Sequence, residues 1–199
     1  MTARPIQQSL FAAAAAPEEL GYAPDLFPQA EEAYFVRAFE KLPLKPFEFF
    51  GYRGNRRVVS YGFRYDYGEQ ALRSADPMPD FVLALRQIAS GFSRLPADCL
   101  RQALVTEYAP GAGIGWHRDR PMFKDVVALS FLAPCVLRLR CRAGEGWLRR
   151  SLPVAARSGY MLQGAAREIW EHSISPLSVL RYSVTFRSFR GQEGSSSEP

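Results

Sequence analysis

The chain contains two histidines, His117 and His172, and the first stands two positions before an aspartate in Trp116-His117-Arg118-Asp119. Side chains alternate along extended backbone, so a strand here would turn His117 and Asp119 to one side, where they can grip a single ion. His172 follows 53 positions after Asp119, in the short alternating stretch Trp170-Glu171-His172-Ser173-Ile174. Two imidazoles and one carboxylate form the set that occupies one face of a non-heme iron(II) and leaves positions open for a cosubstrate and oxygen. An isolated His-x-Asp is a weak signal, since a surface histidine near an aspartate is common. Its weight comes from what lies downstream.

Nine residues after His172, the segment Arg181 to Phe189 alternates without a break. Arg181, Ser183, Thr185 and Arg187 fall on one face and Tyr182, Val184 and Phe186 on the other. Two arginines separated by small hydroxyl residues leave room for a dicarboxylate and offer it fork-shaped donors. Two placements fit this pattern. The polar face lines a barrel interior, or the strand is an exposed edge that carries Arg as a charge guard.

The elements that would hold these residues are mostly strands. Period-two patterns at Val58 to Tyr67, Ala103 to Tyr108, Val126 to Leu132, Cys135 to Arg142, Ser158 to Leu162 and Arg181 to Phe189 are separated by Gly and Pro turns. Helical spacing appears over Gln29 to Leu42 and over Asp80 to Leu95, where Asp80 is the expected cap and Phe81, Leu85, Ile88 and Phe92 form an apolar stripe. The expected class is mainly β with flanking helices, a sandwich or barrel. A jelly roll is the version that carries metal sites in its interior.

At 199 residues the chain suits one domain, expected over residues 18–190, with a disordered segment at 1–17 and a disordered tail at 191–199. No apolar run reaches the length of a membrane span, and no signal peptide or obligate protein partner is evident. Three cysteines without C-x-x-C spacing suggest neither disulfides nor zinc, which fits a cytoplasmic protein. The net charge of +5 is uneven, −3 over residues 1–50 and +8 over 51–199, and 22 of the 25 basic residues are Arg. That favours a polyanionic partner. A codon bias toward Arg explains the same count.

These residues together resemble the AlkB family of 2-oxoglutarate oxygenases. The resemblance rests on Glu107-Tyr108-Ala109-Pro110-Gly111-Ala112, the His-x-Asp at His117 and Asp119, the distal His172, and RYSVTFR at 181–187, in the family's order across roughly residues 45–190. It implies a double-stranded β-helix, a jelly-roll variant with its core at about residues 100–190, and iron(II) held by His117, Asp119 and His172. It further implies 2-oxoglutarate on the iron, its far carboxylate paired with Arg181, with Arg187 and Tyr108 completing the pocket and O2 as the second cosubstrate. Thr106 and Ser183 stand where the family's bacterial repair enzyme has Asn, and so join the cosubstrate contacts.

Residues 45–70 correspond by resemblance to the family's nucleotide-recognition hairpin. Tyr61, Phe63, Tyr65 and Tyr67 are expected on one face of a single strand, with Tyr61 and Phe63 in the core and Tyr65 and Tyr67 at a pocket rim. Aromatic platforms beside Arg hold single-stranded or flipped bases, so Tyr65, Tyr67, Arg57 and Trp116 are the expected substrate contacts. Arg138, Arg140 and Arg142 share the outward face of another strand, either to track phosphates or simply to meet solvent. The implied activity is oxidative demethylation of alkylated DNA or RNA, with release of succinate, CO2 and formaldehyde. One departure points elsewhere. Pro121 replaces the acidic residue that the repair enzyme uses on the damaged base, and this favours an oxygenase of a protein or small molecule as the alternative.

Overall fold

The computed structural model describes residues 19–49 and 52–191. In chain order the elements are β1 (Leu20–Ala23), α1 (Gln29–Phe39), β2 (Lys45–Phe49), β3 (Tyr52–Tyr61), β4 (Phe63–Asp66), β5 (Ala71–Ser74) and α2 (Asp80–Ser93). There follow β6 (Gln102–Tyr108), β7 (Ile114–His117), β8 (Phe123–Phe131), β9 (Cys135–Ala143), β10 (Gly146–Val154), β11 (Gly159–Leu162), α3 (Gly164–Glu168), β12 (Glu171–Ile174) and β13 (Arg181–Phe189). Residues 1–17, and 192–199 of the expected tail, lie outside the described residues.

A seven-stranded sheet, ordered β1-β11-β8-β13-β6-β3-β2, faces a four-stranded sheet ordered β10-β9-β12-β7, and β4 and β5 form a separate hairpin. This is the expected mainly β jelly roll with flanking helices. Side chains from the two sheets meet in one apolar layer that includes Tyr108, Val126, Leu137, Leu139, Tyr160 and Trp170. The other face of the large sheet is covered by the helices, where Phe35 and Phe39 of α1 and Val82 and Leu85 of α2 pack on Val105, Phe131, Tyr182 and Phe186. Burying apolar area on both faces of the large sheet fixes its register, since a one-residue slip would exchange the two faces of every strand.

Several local expectations change. Val58 to Tyr67 is not one strand: Gly62 has φ +73, and a Cβ there would stand 2.2 Å from the Arg101 carbonyl oxygen, so the chain turns between β3 and β4. Tyr61 therefore packs in the helix-side core while Tyr65 and Tyr67 belong to the β4–β5 hairpin. Asp80 does not cap α2. Pro79 occupies that position, no side chain caps the helix, and Asp80 lies in the first turn, where its charge suits the helix dipole. The helices end at Phe39 and Ser93, earlier than their apolar periodicity suggests. The nine-residue strand β10 escapes sequence recognition because Pro153 and paired arginines blur its alternation.

The strands that carry the two histidines depend on a close backbone approach. Gly111 N–H donates to the Leu177 carbonyl at 2.7 Å and Leu177 N–H to that of Ala112 at 2.9 Å, which straps the segment before β7 to the segment after β12. A Cβ on Gly113 would lie 2.7 Å from the Ile174 carbonyl oxygen and 2.8 Å from the Pro176 nitrogen, both backbone atoms that cannot swing aside. Gly113→Ala is expected to destabilise the protein by about 1–3 kcal/mol, the usual cost of overpacking. It should also weaken metal binding by parting β7 from β12, as denaturation and metal titration would read.

Candidate metal centre and cosubstrate pocket

His117 ends β7 and His172 lies second in β12, and the two are register partners across the antiparallel pair. Their rings stand 4.2 Å apart between centroids. Asp119 lies just beyond β7, so the shared side of His117 and Asp119 arises from the loop after the strand and not from strand alternation. One ligand atom from each of His117, Asp119 and His172 lies within 4.8 Å of the others, a spacing that fits a single ion.

Electrostatics pre-set the three groups. Asp119 Oδ1 accepts from Arg187 Nε at 2.8 Å and lies 2.7 Å from Nη2, while Oδ2 faces His172 Nε2 at 3.5 Å. Burial pushes this carboxyl up, but Arg187, His172 and His117 outweigh it and hold Asp119 well below the usual carboxylate range. His117 Nδ1 lies 2.9 Å from the Gly115 carbonyl oxygen. A carbonyl only accepts, so Nδ1 carries the proton and Nε2 is left with the lone pair a metal needs. Burial, and then His117, pull His172 down to about 3; burial also lowers His117. Both imidazoles are thus held in the neutral, ligating form.

The polar face of β13 looks inward. β13 lies between β6 and β8 at the centre of the large sheet, and Arg181 is 0% exposed, so the edge-guard placement is excluded. Arg181 Nε donates to Ser130 Oγ at 3.2 Å, whereas Nη1 and Nη2 are buried with no hydrogen-bond partner among the described residues. Leaving a buried guanidinium edge unpaired is costly, and a carboxylate is the group whose geometry satisfies it. Around it, Tyr108 is the register partner of Arg181, its ring 5.1 Å from the guanidinium carbon. Thr106 and Ser130 pair with Ser183 from the two sides, a row of three small hydroxyl residues. These residues fit a dicarboxylate cosubstrate. Arg187 instead spends its donors on Asp119 and, from Nη1 at 2.9 Å, on Gln102 Oε1.

Two of the expected substrate contacts lie elsewhere. Arg57 makes a two-pronged ion pair with Glu107 at 2.7 Å for each bond, and Glu107 also accepts from the Tyr182 hydroxyl at 3.0 Å. These residues are on the helix side of the large sheet, away from the cluster. Strand alternation brings the neighbouring Arg56 to the metal side instead, where its charge bears on His117. Trp116 alternates with His117 and points out of the small sheet, beneath Arg138 and Arg140 at 5.1 and 4.4 Å. Tyr65 and Tyr67 stay near the site, their rings 4.9 Å apart in a T arrangement. Arg120, next to Asp119, lies 4.7 Å and 4.9 Å above those rings.

Sequence reading missed Gln102, Ser130, Tyr160 and Arg167. Tyr160 is buried among Tyr108 and Arg181, and burial raises its pKa. Arg167 is buried on α3 and donates from Nη2 to the carbonyls of Arg120 at 2.5 Å and Phe123 at 2.9 Å, tying the loop after Asp119 to the helix before β12. The signal for Ser130 was a hydroxyl inside an otherwise apolar strand. An open cleft of about 470 Å³ begins at Asp119 and is lined by Arg118, Arg120, Pro121, Arg167, Glu168 and Arg190, among others.

The depressed histidines give the metal-free protein a pH signature. A folded-state pKa of about 3 for His172 lies below its unfolded value of about 6.5. The unfolded chain therefore takes up a proton that the folded chain refuses, and stability is full above pH about 6.5 and falls toward pH about 3. Urea midpoints of the metal-free protein should drop across this window. His172→Gln should show a visibly smaller drop.

Comparison with known proteins places this geometry. The sequence matches the 2OG-Fe(II) oxygenase superfamily over residues 19–187. It is 27% identical over 143 residues to an alkylated DNA repair protein ALKBH8 homologue of Arabidopsis thaliana, covering 60% of this chain and 41% of that protein. It is 28% identical over 124 residues to the alpha-ketoglutarate-dependent dioxygenase AlkB of Salmonella typhimurium, covering 54% of this chain and 53% of that protein. The alignments thus span about half, or less, of the length of these relatives. The solved structure of OsALKBH1 superposes with a TM-score of 0.67 at 14% identity, over 87% of this chain and 98% of that one, and so shares the fold. The chain belongs to the 2OG-Fe(II) oxygenase superfamily, which implies iron(II), 2-oxoglutarate and O2 as cofactor and cosubstrates, and it is similar to AlkB proteins within it.

Proposed function

We propose that the protein is a dioxygenase that demethylates alkylated nucleic acid, with His117, Asp119 and His172 holding iron(II) and Arg181 holding the far carboxylate of 2-oxoglutarate. The observation that carries the chemistry is the buried Arg181 guanidinium, both of its Nη atoms unpartnered among the described residues, inside the same barrel as the His-Asp-His cluster. Bound iron(II) would let O2 act as the oxidant, one oxygen atom going into succinate as 2-oxoglutarate loses CO2 and the other into the hydroxylated substrate carbon. An N-linked methyl so hydroxylated departs as formaldehyde.

The chain's own residues position and protect. Arg187 occupies Asp119 Oδ1, which leaves Oδ2 as the carboxylate's metal-facing oxygen. Gly115 fixes the His117 tautomer. Tyr108, Thr106 and Ser183 line the space beside Arg181 and help exclude water. At the rim, Tyr65 and Tyr67 offer stacking surface, and Arg120 links them to the loop that bears Asp119. Names of relatives that include alkylated DNA repair support a nucleic-acid substrate, as does the charge of +8 over residues 51–199. Three cysteines without disulfides suit a reducing cytoplasm, where iron(II) persists.

A protein or small-molecule substrate is the second reading. It is favoured by Pro121, which is exposed and engages Arg190 through its carbonyl oxygen at 2.8 Å, with no side-chain acceptor to offer a base.

Arg181→Gln should raise the KM for 2-oxoglutarate at least about tenfold while iron still binds, since a charge-assisted hydrogen bond contributes ~1.5–3 kcal/mol. An unchanged KM in steady-state succinate assays would remove Arg181 from the pocket. Tyr67→Ala should weaken binding of a single-stranded alkylated oligonucleotide by ~1–3 kcal/mol and leave substrate-independent 2-oxoglutarate turnover intact. Failure of alkylated strands to stimulate succinate formation in the unmodified protein, with stimulation by peptides instead, would transfer the site to the second reading.

A further inference from the structure

The small sheet has a second face. β7 and β12 turn His117 and His172 inward, and the same alternation turns Trp116, Glu171 and Ser173 outward. Beside them, β9 is buried at Leu137, Leu139 and Cys141 and presents Arg138, Arg140 and Arg142 to the outside. β10 adds Arg149, opposite Arg140, and Trp147, opposite Arg142, since antiparallel partners share a face.

These side chains form a continuous row. The Arg140 guanidinium carbon lies 4.4 Å from the Trp116 ring centre and 4.1 Å from that of Trp147. Arg142 extends the row at 4.5 Å from Trp147, and Arg138 at 5.1 Å from Trp116. Arg140 is pinned further by Glu171 Oε2 at 2.7 Å, and Arg138 by Ser173 Oγ at 3.1 Å. A guanidinium stacked on an indole keeps its N–H edge for a second partner and has already lost most of its side-chain freedom. Four arginines against Glu171 on one sheet face are also mutually repulsive, most directly where Arg149 and Arg140 stand in register. A solvated face has no need of that cost, or of two half-buried tryptophans. A polyanion relieves the repulsion and uses the ordered N–H edges.

We propose that this outer face is a second nucleic-acid contact, taking the phosphodiester backbone of a single strand whose alkylated base occupies the catalytic pocket. The inference rests on the nucleic-acid reading of the substrate. Continuity with the site comes from β7, the edge strand of the small sheet, which carries Trp116 on this face and His117 on the other. A strand leaving the pocket over that edge meets the row next. The arginines read charge and the indoles tolerate any base, so the contact is insensitive to sequence.

The test uses Arg142→Gln combined with Arg149→Gln, both exposed and outside the metal and cosubstrate residues. Fluorescence anisotropy with a methylated 20-mer and a methylated trimer, across a salt series, is set beside succinate formation. For the 20-mer, the double variant should weaken affinity about tenfold at low salt and reduce the log–log salt slope by about 1.4, two phosphate contacts at ~0.7 each. Trimer turnover and substrate-independent 2-oxoglutarate turnover should stay unchanged. An unaltered affinity and slope for the 20-mer, with the unmodified protein still demethylating it, would overturn the second contact and leave the proposed function standing. Strands that bind with the expected loss in the variant, yet never stimulate succinate formation, would remove the substrate reading and keep the contact. A larger loss of affinity for polyglutamate than for the 20-mer would assign the face to an acidic protein and overturn the proposal.

Discussion

The ion pair between Arg187 and Asp119 joins the two halves of the molecule. Arg187 belongs to β13 at the centre of the large sheet, and Asp119 to the loop that leaves β7 of the small one. Both side chains are nearly buried, 11% and 7% exposed, so each charge relies on the other. Burying an isolated carboxylate would drive it to its neutral form; here the guanidinium keeps it ionised against that tendency. The same bond fixes which oxygen faces the histidines. Sheet packing and the geometry of the cluster are therefore settled by one interaction.

The rest of the interior follows from placing charge inside a sandwich. A central strand that carries Arg181, Ser183 and Arg187 toward the opposing sheet must find partners for them or lose stability. Ser130, Gln102 and Asp119 supply some. The outer Nη edge of Arg181 is satisfied by none of the described residues. Stability is made up on the opposite face of the same strands, where Tyr182, Val184 and Phe186 meet the helices. One sheet thus combines an apolar face that holds the fold with a polar face turned to the candidate site, and the helices serve the site by covering the first of these.

Short loops convert this frame into a site. Arg167 grips the carbonyls of Arg120 and Phe123, and Arg190 that of Pro121, so the segment after Asp119 is held along its length. Arg120 then reaches the tyrosines of the β4–β5 hairpin. Movement of that hairpin would be felt next to Asp119 without the hairpin touching the His-Asp-His cluster itself.

By itself the sequence determined the chemistry and most of the strands. With two histidines in the chain, the sequence could point to no other imidazole pair, and the structure brings both to Asp119; the alternation in Arg181 to Phe189 held because a strand buried on both faces must keep its register. The reach of the carried-over motifs was also legible, and the family match covers residues 19–187. Tertiary structure alone decided which way faces pointed. Alternation says that Trp116 and His117 differ, and likewise Arg56 and Arg57, but not which of each pair is inside; that depends on the opposing sheet and on Glu107, which claims Arg57. Nor could periodicity reveal that Gly62 breaks the tyrosine strand, since only the carbonyl of Arg101 closes that space. Partners such as Ser130, Gln102 and Arg167 lie far from the motifs in sequence, and the folded sheets alone bring them near.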